Sequence, residues 1–337
     1  MEKRKILCFL FVLFLFRSPL EGGELVQTLQ EVLPGDPLPF RLYTDPSVRY
    51  VEVFLWREED RNTLLAEGKA FRVPDEGGPG GGAPGEGGEG LSGATLEDTS
   101  TLWVGLLGIP SVAPAGLYRL EIRMGERSLV FPVSVLGRQF IHEEIALNRE
   151  MSKLRTEEDA RKIAEMREIL ERVSVFNPQS MYHPKPFRLP VEGFRRTSQF
   201  GDRRKYRYAD GGAEQAIHTG IDFATPRGTP VHLAASGQVA FAGPRILTGN
   251  TVVVEHLPGV YSLYYHLDRI EVKEGDRLHE GERIGTTGAT GLVTGPHLHW
   301  EVRVGGIPVN PDAFLRAGPL DKFFQLRETA VTSKEGR

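Results

Sequence analysis

Apolar and polar residues alternate with a period of two over much of this chain. Val51, Val53 and Leu55 share one face of an extended segment. Tyr118, Leu120, Ile122 and Met124 share one face of another, with Arg119, Glu121 and Arg123 turned away. Short runs of this kind, separated by Pro and Gly, continue from about Glu24 to Gly137 and predict a small antiparallel β-sandwich. Residues 75–90 interrupt it with a Gly-rich tract that cannot bury apolar surface and reads as a flexible surface loop. No strand-Gly-helix context surrounds those glycines, so the tract is not a phosphate-binding loop.

The period then changes. The charged segment from Phe140 to Val175 carries Ile163, Met166, Leu170 and Val173 at helical spacing, with Thr156 three residues before Asp159 as the expected N-cap. This predicts a packing helix with a solvated charged face; a partner-binding coiled coil needs a longer heptad register. Four prolines between Asn177 and Pro190 then make a stiff linker that ends the helix. From Phe187 to about Leu315 the pattern is β again, with Val252 to Glu255, Tyr261 to Tyr265, Ile284 to Gly285 and Leu298 to Val304 as strands. The expected organisation is an N-terminal segment at 1–22, a sandwich-like domain at 23–137, and a helical segment and linker at 138–186. A second β domain at 187–318 and a surface-packed or frayed tail at 319–337 follow.

With 337 residues and 40% apolar content, two cores are affordable in size. The net charge of −4, with no long Lys or Arg run past the extreme N-terminus, argues against a nucleic-acid partner. Lys3, Arg4 and Lys5 precede an apolar run from Ile6 to Phe16, the layout of a secretory signal peptide. That run is short for a membrane span, and no small-x-small cleavage site follows it, so the alternative is a retained N-terminal anchor. The one cysteine, Cys8, lies inside the run, where a lipidated cysteine does not belong. A processed chain therefore has neither disulfides nor thiolate metal sites, and any metal must be held by His and carboxylate groups.

Four of the nine histidines fall in three short segments of the second β domain: His218 to Asp222, Tyr265 to Leu267, and Pro296 to Trp300. In extended chain, residues two or four apart project to the same side, so His218 shares a face with Asp222 and His297 with His299. Two ligands from one strand and one from another make up the three-ligand set that a hydrolytic zinc site uses, leaving a position for water. Alone, His-x-x-x-Asp and His-x-His are weak signals; together in one domain, amid tight Gly and Pro turns, they point to metal-assisted hydrolysis. His142, His183, His232, His256 and His279 lack such partners and are expected to be structural or surface residues.

These segments also resemble a known family. Ser198-Gln199-Phe200-Gly201-Asp202-Arg203, His218-Thr219-Gly220-Ile221-Asp222-Phe223, Gly228-Thr229-Pro230-Val231, Tyr264-Tyr265-His266-Leu267, Thr290-Gly291 and Gly295-Pro296-His297-Leu298-His299-Trp300-Glu301 are similar, in order and spacing, to the lysostaphin and LytM type of zinc peptidase. The resemblance covers about Phe187 to Phe314. It implies that His218, Asp222 and His299 bind Zn2+, and that His266 and His297 are non-ligand catalytic histidines which orient water and stabilise the tetrahedral intermediate. It also implies a compact, mostly antiparallel β fold with a narrow groove, and the peptide part of peptidoglycan as substrate.

The segment Gly243 to Asn250 is longer than the shortest family forms, so one groove wall is expected to differ. The sandwich differs from the N-terminal regions of the secreted staphylolytic members, although β and helical elements ahead of such a domain are familiar in envelope-bound relatives. The resulting expectation is an exported endopeptidase of the periplasm or cell envelope, with peptidoglycan and envelope or divisome proteins as partners. Membrane contact is expected only if the N-terminal segment is retained. The alternative is a catalytically silent envelope protein that binds and regulates a wall hydrolase, although silent members usually lack ligand residues that this chain keeps. The helix and linker are candidates to lie across the groove, as an inhibitory segment or as a spacer.

Overall fold

The computed structural model describes residues 25–60, 63–73, 100–180, 183 and 185–315. The N-terminal apolar run, the Gly-rich tract and the tail lie outside the described residues.

Strands β1 (Leu25–Thr28), β2 (Glu31–Val32), β3 (Pro37–Thr44), β4 (Glu52–Arg57), β5 (Leu64–Arg72), β6 (Thr101–Gly108), β7 (Gly116–Met124) and β8 (Arg127–Val135) form the first β unit. They make one curled sheet in the order β1-β3-β6-β5-β4-β7-β8-β2. β5 is the corner: its first part pairs with β4 and its last three residues with β6, so the sheet folds over on itself. The alternation read from sequence selects the inner face, where Val53, Leu55, Tyr118, Leu120 and Ile122 meet Leu38, Phe40, Leu42 and Leu107 in one core.

The charged segment after it is more broken than its composition suggests. It holds a strand, β9 (His142–Ala146), and two helices, α1 (Arg149–Thr156) and α2 (Ala160–Val173). Thr156 is not the cap of α2: its hydroxyl bonds back to the Ser152 carbonyl, and the Asp159 side chain accepts from Arg161 N–H instead. Of the expected apolar stripe, Val173 packs inward as anticipated, but its other three members do not. Ile163, Met166 and Leu170 are 56%, 54% and 44% exposed, whereas Ile169 and Val173 are buried. Arg172 explains the rotation, since it pairs with Glu168 and Glu274 and bonds the Ala240 carbonyl, fixing which face of α2 meets the second β unit. No helix among the described residues is long and apolar enough to cross a membrane.

The second β unit comprises β10 (Arg195–Ser198), β11 (Arg203–Arg207), β12 (Ala213–Ile217), β13 (Ile221–Ala224), β14 (Pro230–His232), β15 (Gly237–Arg245), β16 (Gly249–Leu257) and β17 (Val260–Ile270). β18 (Arg277–Leu278), β19 (Arg283–Thr287), β20 (His297–Val304), β21 (Ile307–Val309) and the short helix α3 (Asp312–Leu315) complete it. The main path of its large sheet is β10-β13-β20-β17-β16-β15-β18, with every pairing antiparallel. β9 joins β11 and β12 in a small separate sheet, parallel to β11.

In the large sheet the period of two divides labour on a single strand. Leu298 and Trp300 of β20 lie opposite Phe223 and Ile221 on β13, and Trp300 also faces Tyr264 on β17; all are fully buried in the core. Truncation of a side chain such as Trp300 would cost about 3–5 kcal/mol. The residues between them, His297 and His299, necessarily point out of the opposite face.

Candidate metal and catalytic site

Strand register assembles the site. His299 on β20 lies directly across from Asp222 on one side and Tyr265 on the other, so three neighbouring strands present these side chains on one face. His218 precedes β13 by one turn of chain and folds back onto the same point. Gly220 makes that approach close enough: a Cβ there would collide with the Trp300 carbonyl and come within 2.8 Å of His299 Nε2.

Ligand-capable atoms converge as a result. Asp222 Oδ1 lies 3.0 Å from His218 Nε2 and 2.8 Å from His299 Nδ1, and the two ring nitrogens are 3.0 Å apart. Among the described residues these three form the group able to hold a metal ion. The remaining atoms of each ligand fix which atom points inward. His218 Nδ1 donates to the Gln199 carbonyl at 2.7 Å, which leaves Nε2 with its lone pair on the site. His299 Nε2 donates to Glu301 Oε1 at 3.2 Å, which leaves Nδ1 inward, and the Tyr265 ring stacks on the imidazole at 5.2 Å and 4°. Asp222 Oδ2 accepts from Arg204 at 2.7 Å, which leaves Oδ1 inward.

Two imidazole lone pairs and a carboxylate oxygen turned onto one point repel each other unless a cation lies among them. Their separations of 2.8–3.0 Å approach the roughly 3.3 Å between neighbouring ligands of a tetrahedral zinc with about 2.0 Å bonds. The electrostatics agree with that fit. Burial opposes charge on His299, but its hydrogen bonds to Asp222 and Glu301 outweigh this and raise its pKa to about 9. Burial likewise acts against the Asp222 anion, yet the His218 and His299 contacts hold its carboxyl well below the usual range. Without a metal, a proton shared by His299 and Asp222 supplies the positive charge. The donor set therefore fits a divalent ion such as Zn2+.

His266 and His297 flank this cluster with their rings 4.8 Å apart. Simple alternation would send His266 into the core beside Tyr264. A β-bulge prevents this: between the register pairs Asn250 with Leu267 and Val252 with Tyr264, one residue of β16, Thr251, opposes two of β17, Tyr265 and His266. The extra residue gives His266 a φ of 61°, a strained left-handed conformation for a side chain of this size. Its N–H bonds the Thr248 carbonyl, and its Nδ1 donates to the Thr290 carbonyl at 2.8 Å. His297 Nδ1 donates to the Gly295 carbonyl at 2.8 Å, with Nε2 3.7 Å from Asp222 Oδ1. Both rings thus keep Nε2 as an acceptor. Burial, then the neighbouring imidazoles, lowers the His266 pKa to about 3, and burial lowers that of His297, so both are neutral at pH 7.

These groups lie in a cleft of about 630 Å³. Leu247 and Thr248, in the stretch from Gly243 to Asn250, form part of its wall. Ile145 of β9, Leu147 just after it, and Met151 and Arg155 of α1 form another part, so the interdomain segment borders the cleft. A larger hollow, of about 870 Å³, borders β9, β11 and the first β unit and shares Arg204 with the cleft.

All five residues singled out in the sequence meet here. The remaining histidines lie apart from them: His256, for example, is fully buried between the Ser236 carbonyl and the Ser262 hydroxyl. Sequence reasoning gave no role to Arg204, Glu301 or Glu143. Glu301 carried a signal, its place two residues after His299 on the same strand face; Glu143 carried none, because only the fold brings β9 here.

A model described as Peptidase family M23 matches residues 216–311. The chain is 50% identical over 95 residues to "DD-carboxypeptidase/endopeptidase Mpg" of Neisseria meningitidis, a match covering 28% of this chain and 22% of that protein. It is 35% identical over 199 residues to "Peptidoglycan DD-endopeptidase ShyA" of Vibrio cholerae, covering 56% of this chain and 43% of that one. The chain thus spans less than half the length of these curated relatives. Among solved structures, one described as peptidase M23 from Pseudomonas aeruginosa shares the fold, with a TM-score of 0.50 and 24% identity over 84% of this chain and 94% of that one.

Proposed function

The chain belongs, through residues 216–311, to peptidase family M23, and on that premise we propose that it is a zinc-dependent endopeptidase that hydrolyses peptide bonds of peptidoglycan, in a cross-bridge or stem peptide, during cell wall remodelling. The observation that carries this reading is the meeting of His218, Asp222 and His299 at one point beside two neutral histidines whose Nε2 atoms are free to accept protons. The substrate class rests on the relatives' names together with a cleft open enough for an extended peptide. Export to the periplasm or cell envelope follows from the N-terminal apolar run and from where such a substrate is found.

In this reading His218, Asp222 and His299 would hold the metal, which when bound would supply Lewis-acid polarisation of the scissile carbonyl and a water whose pKa is lowered towards about 7. His266 and His297 do the proton work. Either Nε2 can accept a proton from the attacking water, because its ring is neutral and its Nδ1 proton is committed to a backbone carbonyl. Once protonated, the same nitrogen becomes a donor, able to stabilise the developing oxyanion or to return the proton to the leaving amine. The strained backbone at His266 is consistent with a ring held where catalysis rather than packing requires it.

The test is release of muropeptides from purified sacculi by the full chain with and without zinc. Activity should require the metal. His266→Ala and His297→Ala should each slow turnover by roughly 10²–10⁴-fold while zinc still binds. His299→Ala should lose both zinc and activity; a zinc-stripped His299→Ala protein as fast as the parent would end the proposal. Stoichiometric zinc binding with no cleavage of any sacculus would favour a silent regulator.

A further inference from the structure

We propose that Glu143, on the interdomain strand β9, is a positioning residue for the metal centre and acts through Arg204 on Asp222. The inference rests on the metal-site reading above and names groups beyond it.

The chain of contacts begins at Asp222. Its inward oxygen, Oδ1, faces both imidazoles, and the Arg204 guanidinium holds its other oxygen at 2.7 Å. This bond fixes the rotation of the carboxylate and offers the ion a single oxygen. The Arg204 side chain is 12% exposed and that of Asp222 10%, so neither charge is screened by much water. A guanidinium this enclosed needs anionic partners on more than one side, and removal of one leaves an uncompensated charge.

Glu143 supplies the second anion. Its Oε2 lies 3.5 Å from Arg204 Nε, an atom that is buried and makes no hydrogen bond. The placement is built into the backbone, since Glu143 and Arg204 are register partners in the parallel β9 and β11 pair. Glu143 also meets the Ser198 hydroxyl at 3.4 Å, and Ser198 is the register partner of Asp222 on β10. The carboxylate thus touches both Arg204 on β11 and Ser198 on β10, the strand paired with that of Asp222. Without it, Arg204 has a reason to turn towards solvent, and Asp222 is free to rotate away from the imidazoles or offer both oxygens.

Arg204 and Glu143 lie outside the residues 216–311 that define the family match. β9 belongs to the segment joining the two β units, and the residue before Arg204 in β11, Arg203, bonds the Ser111 carbonyl of the first unit at 2.7 Å. The metal site is therefore completed by the connecting segment.

The experiment measures zinc affinity of the full chain by competition with a chromophoric chelator, together with the visible spectrum of the cobalt(II)-loaded protein. Arg204→Gln should weaken zinc binding about 10-fold or more and alter the cobalt bands. Glu143→Gln should give a smaller loss in the same direction, about 3-fold to 10-fold, with Glu143→Asp recovering part of it. The double variant should match Arg204→Gln alone, because the proposed effect of Glu143 on Asp222 is transmitted by Arg204, with the longer Ser198 contact only helping to place the carboxylate. Parental affinity and spectrum in Glu143→Gln, or additive losses in the double variant, would overturn the proposal. Should Arg204→Gln fail to fold, Glu143→Gln and Glu143→Asp still decide it, as Glu143 is partly exposed. Neither readout needs a peptide to be cut, so failure of the endopeptidase reading would show separately as intact zinc binding without muropeptide release.

Discussion

Replacement of Glu301 by Gln tests whether the site depends on charge as well as shape. The Glu301 carboxylate is 2% exposed and receives three donors: Arg303 Nε at 2.8 Å, His299 Nε2 at 3.2 Å and the Thr219 hydroxyl. Its pKa is pushed far down despite burial, by Arg303 first and His299 next. A glutamine side chain offers one oxygen and turns an N–H towards a donor, so at least one partner loses its acceptor and Arg303 keeps a buried charge unpaired. Breaking such a pair costs about 3–5 kcal/mol, a large part of the roughly 5–15 kcal/mol that holds a domain folded. Loss of the His299 partner should also weaken zinc about 10–100-fold, equivalent to roughly 1.4–2.8 kcal/mol. Urea titration of the metal-free chain reads the first effect and chelator competition reads the second. Glu301→Gln protein with zinc affinity within about threefold of the parent would refute the idea that Glu301 sets the tautomer and tilt of His299.

Further outcomes concern protons, the connecting segment and Gly220. The His299 pKa of about 9 means that zinc must displace a proton, so apparent affinity should rise about tenfold per pH unit up to about pH 9 and level off above it. Calorimetry in buffers of different ionisation heat should find about one proton released per zinc at pH 7, and none released would contradict the assignment. Because the folded pKa is raised, the His299 contribution to metal-free stability is complete below about 6.5 and is lost as pH rises through about 9. A fragment beginning near Phe187 lacks β9 and should bind zinc more weakly than the full chain; a faster fragment with undiminished affinity would instead mean that the segment is inhibitory. Gly220→Ala should push β20 away and reduce zinc binding more than it reduces the folded fraction seen by circular dichroism.

Period-two patterning made most of this molecule legible. The faces chosen by Val53, Leu55, Leu120 and Ile122 are those the core uses, and the same rule put His297 and His299 together on the side of β20 opposite Leu298 and Trp300. His266 shows where the rule stops, since its direction comes from an extra residue in β17 and a φ of 61° that alternation cannot register. Helical periodicity misled for a different reason. Ile163, Met166, Leu170 and Val173 make a plausible buried stripe, but the ion pairs and carbonyl contact of Arg172 orient α2 so that only Val173 of these packs inward, together with Ile169. Glu143 and Arg204 could not be found at all by local pattern: each reads as one more charge in a solvated stretch, and only the pairing of β9 with β11 puts them next to Asp222.

Charge balance explains why this site surrounds its ligands with arginines instead of neutral donors. Asp222, Glu301 and Glu143 contribute three negative charges, and Arg204, Arg303 and the protonated His299 contribute three positive ones. The metal-free cluster is therefore close to neutral, which lets it stay folded around a buried polar centre. Exchange of the His299 proton for a divalent ion leaves one net positive charge. In the proposed reaction an oxyanion forming in the cleft would neutralise that charge, so the loaded cluster would favour the transition state over the uncharged peptide in the ground state. Neutral donors in place of Arg204 and Arg303 would leave the loaded cluster net negative, and the same three ligands would then oppose the charge the reaction develops.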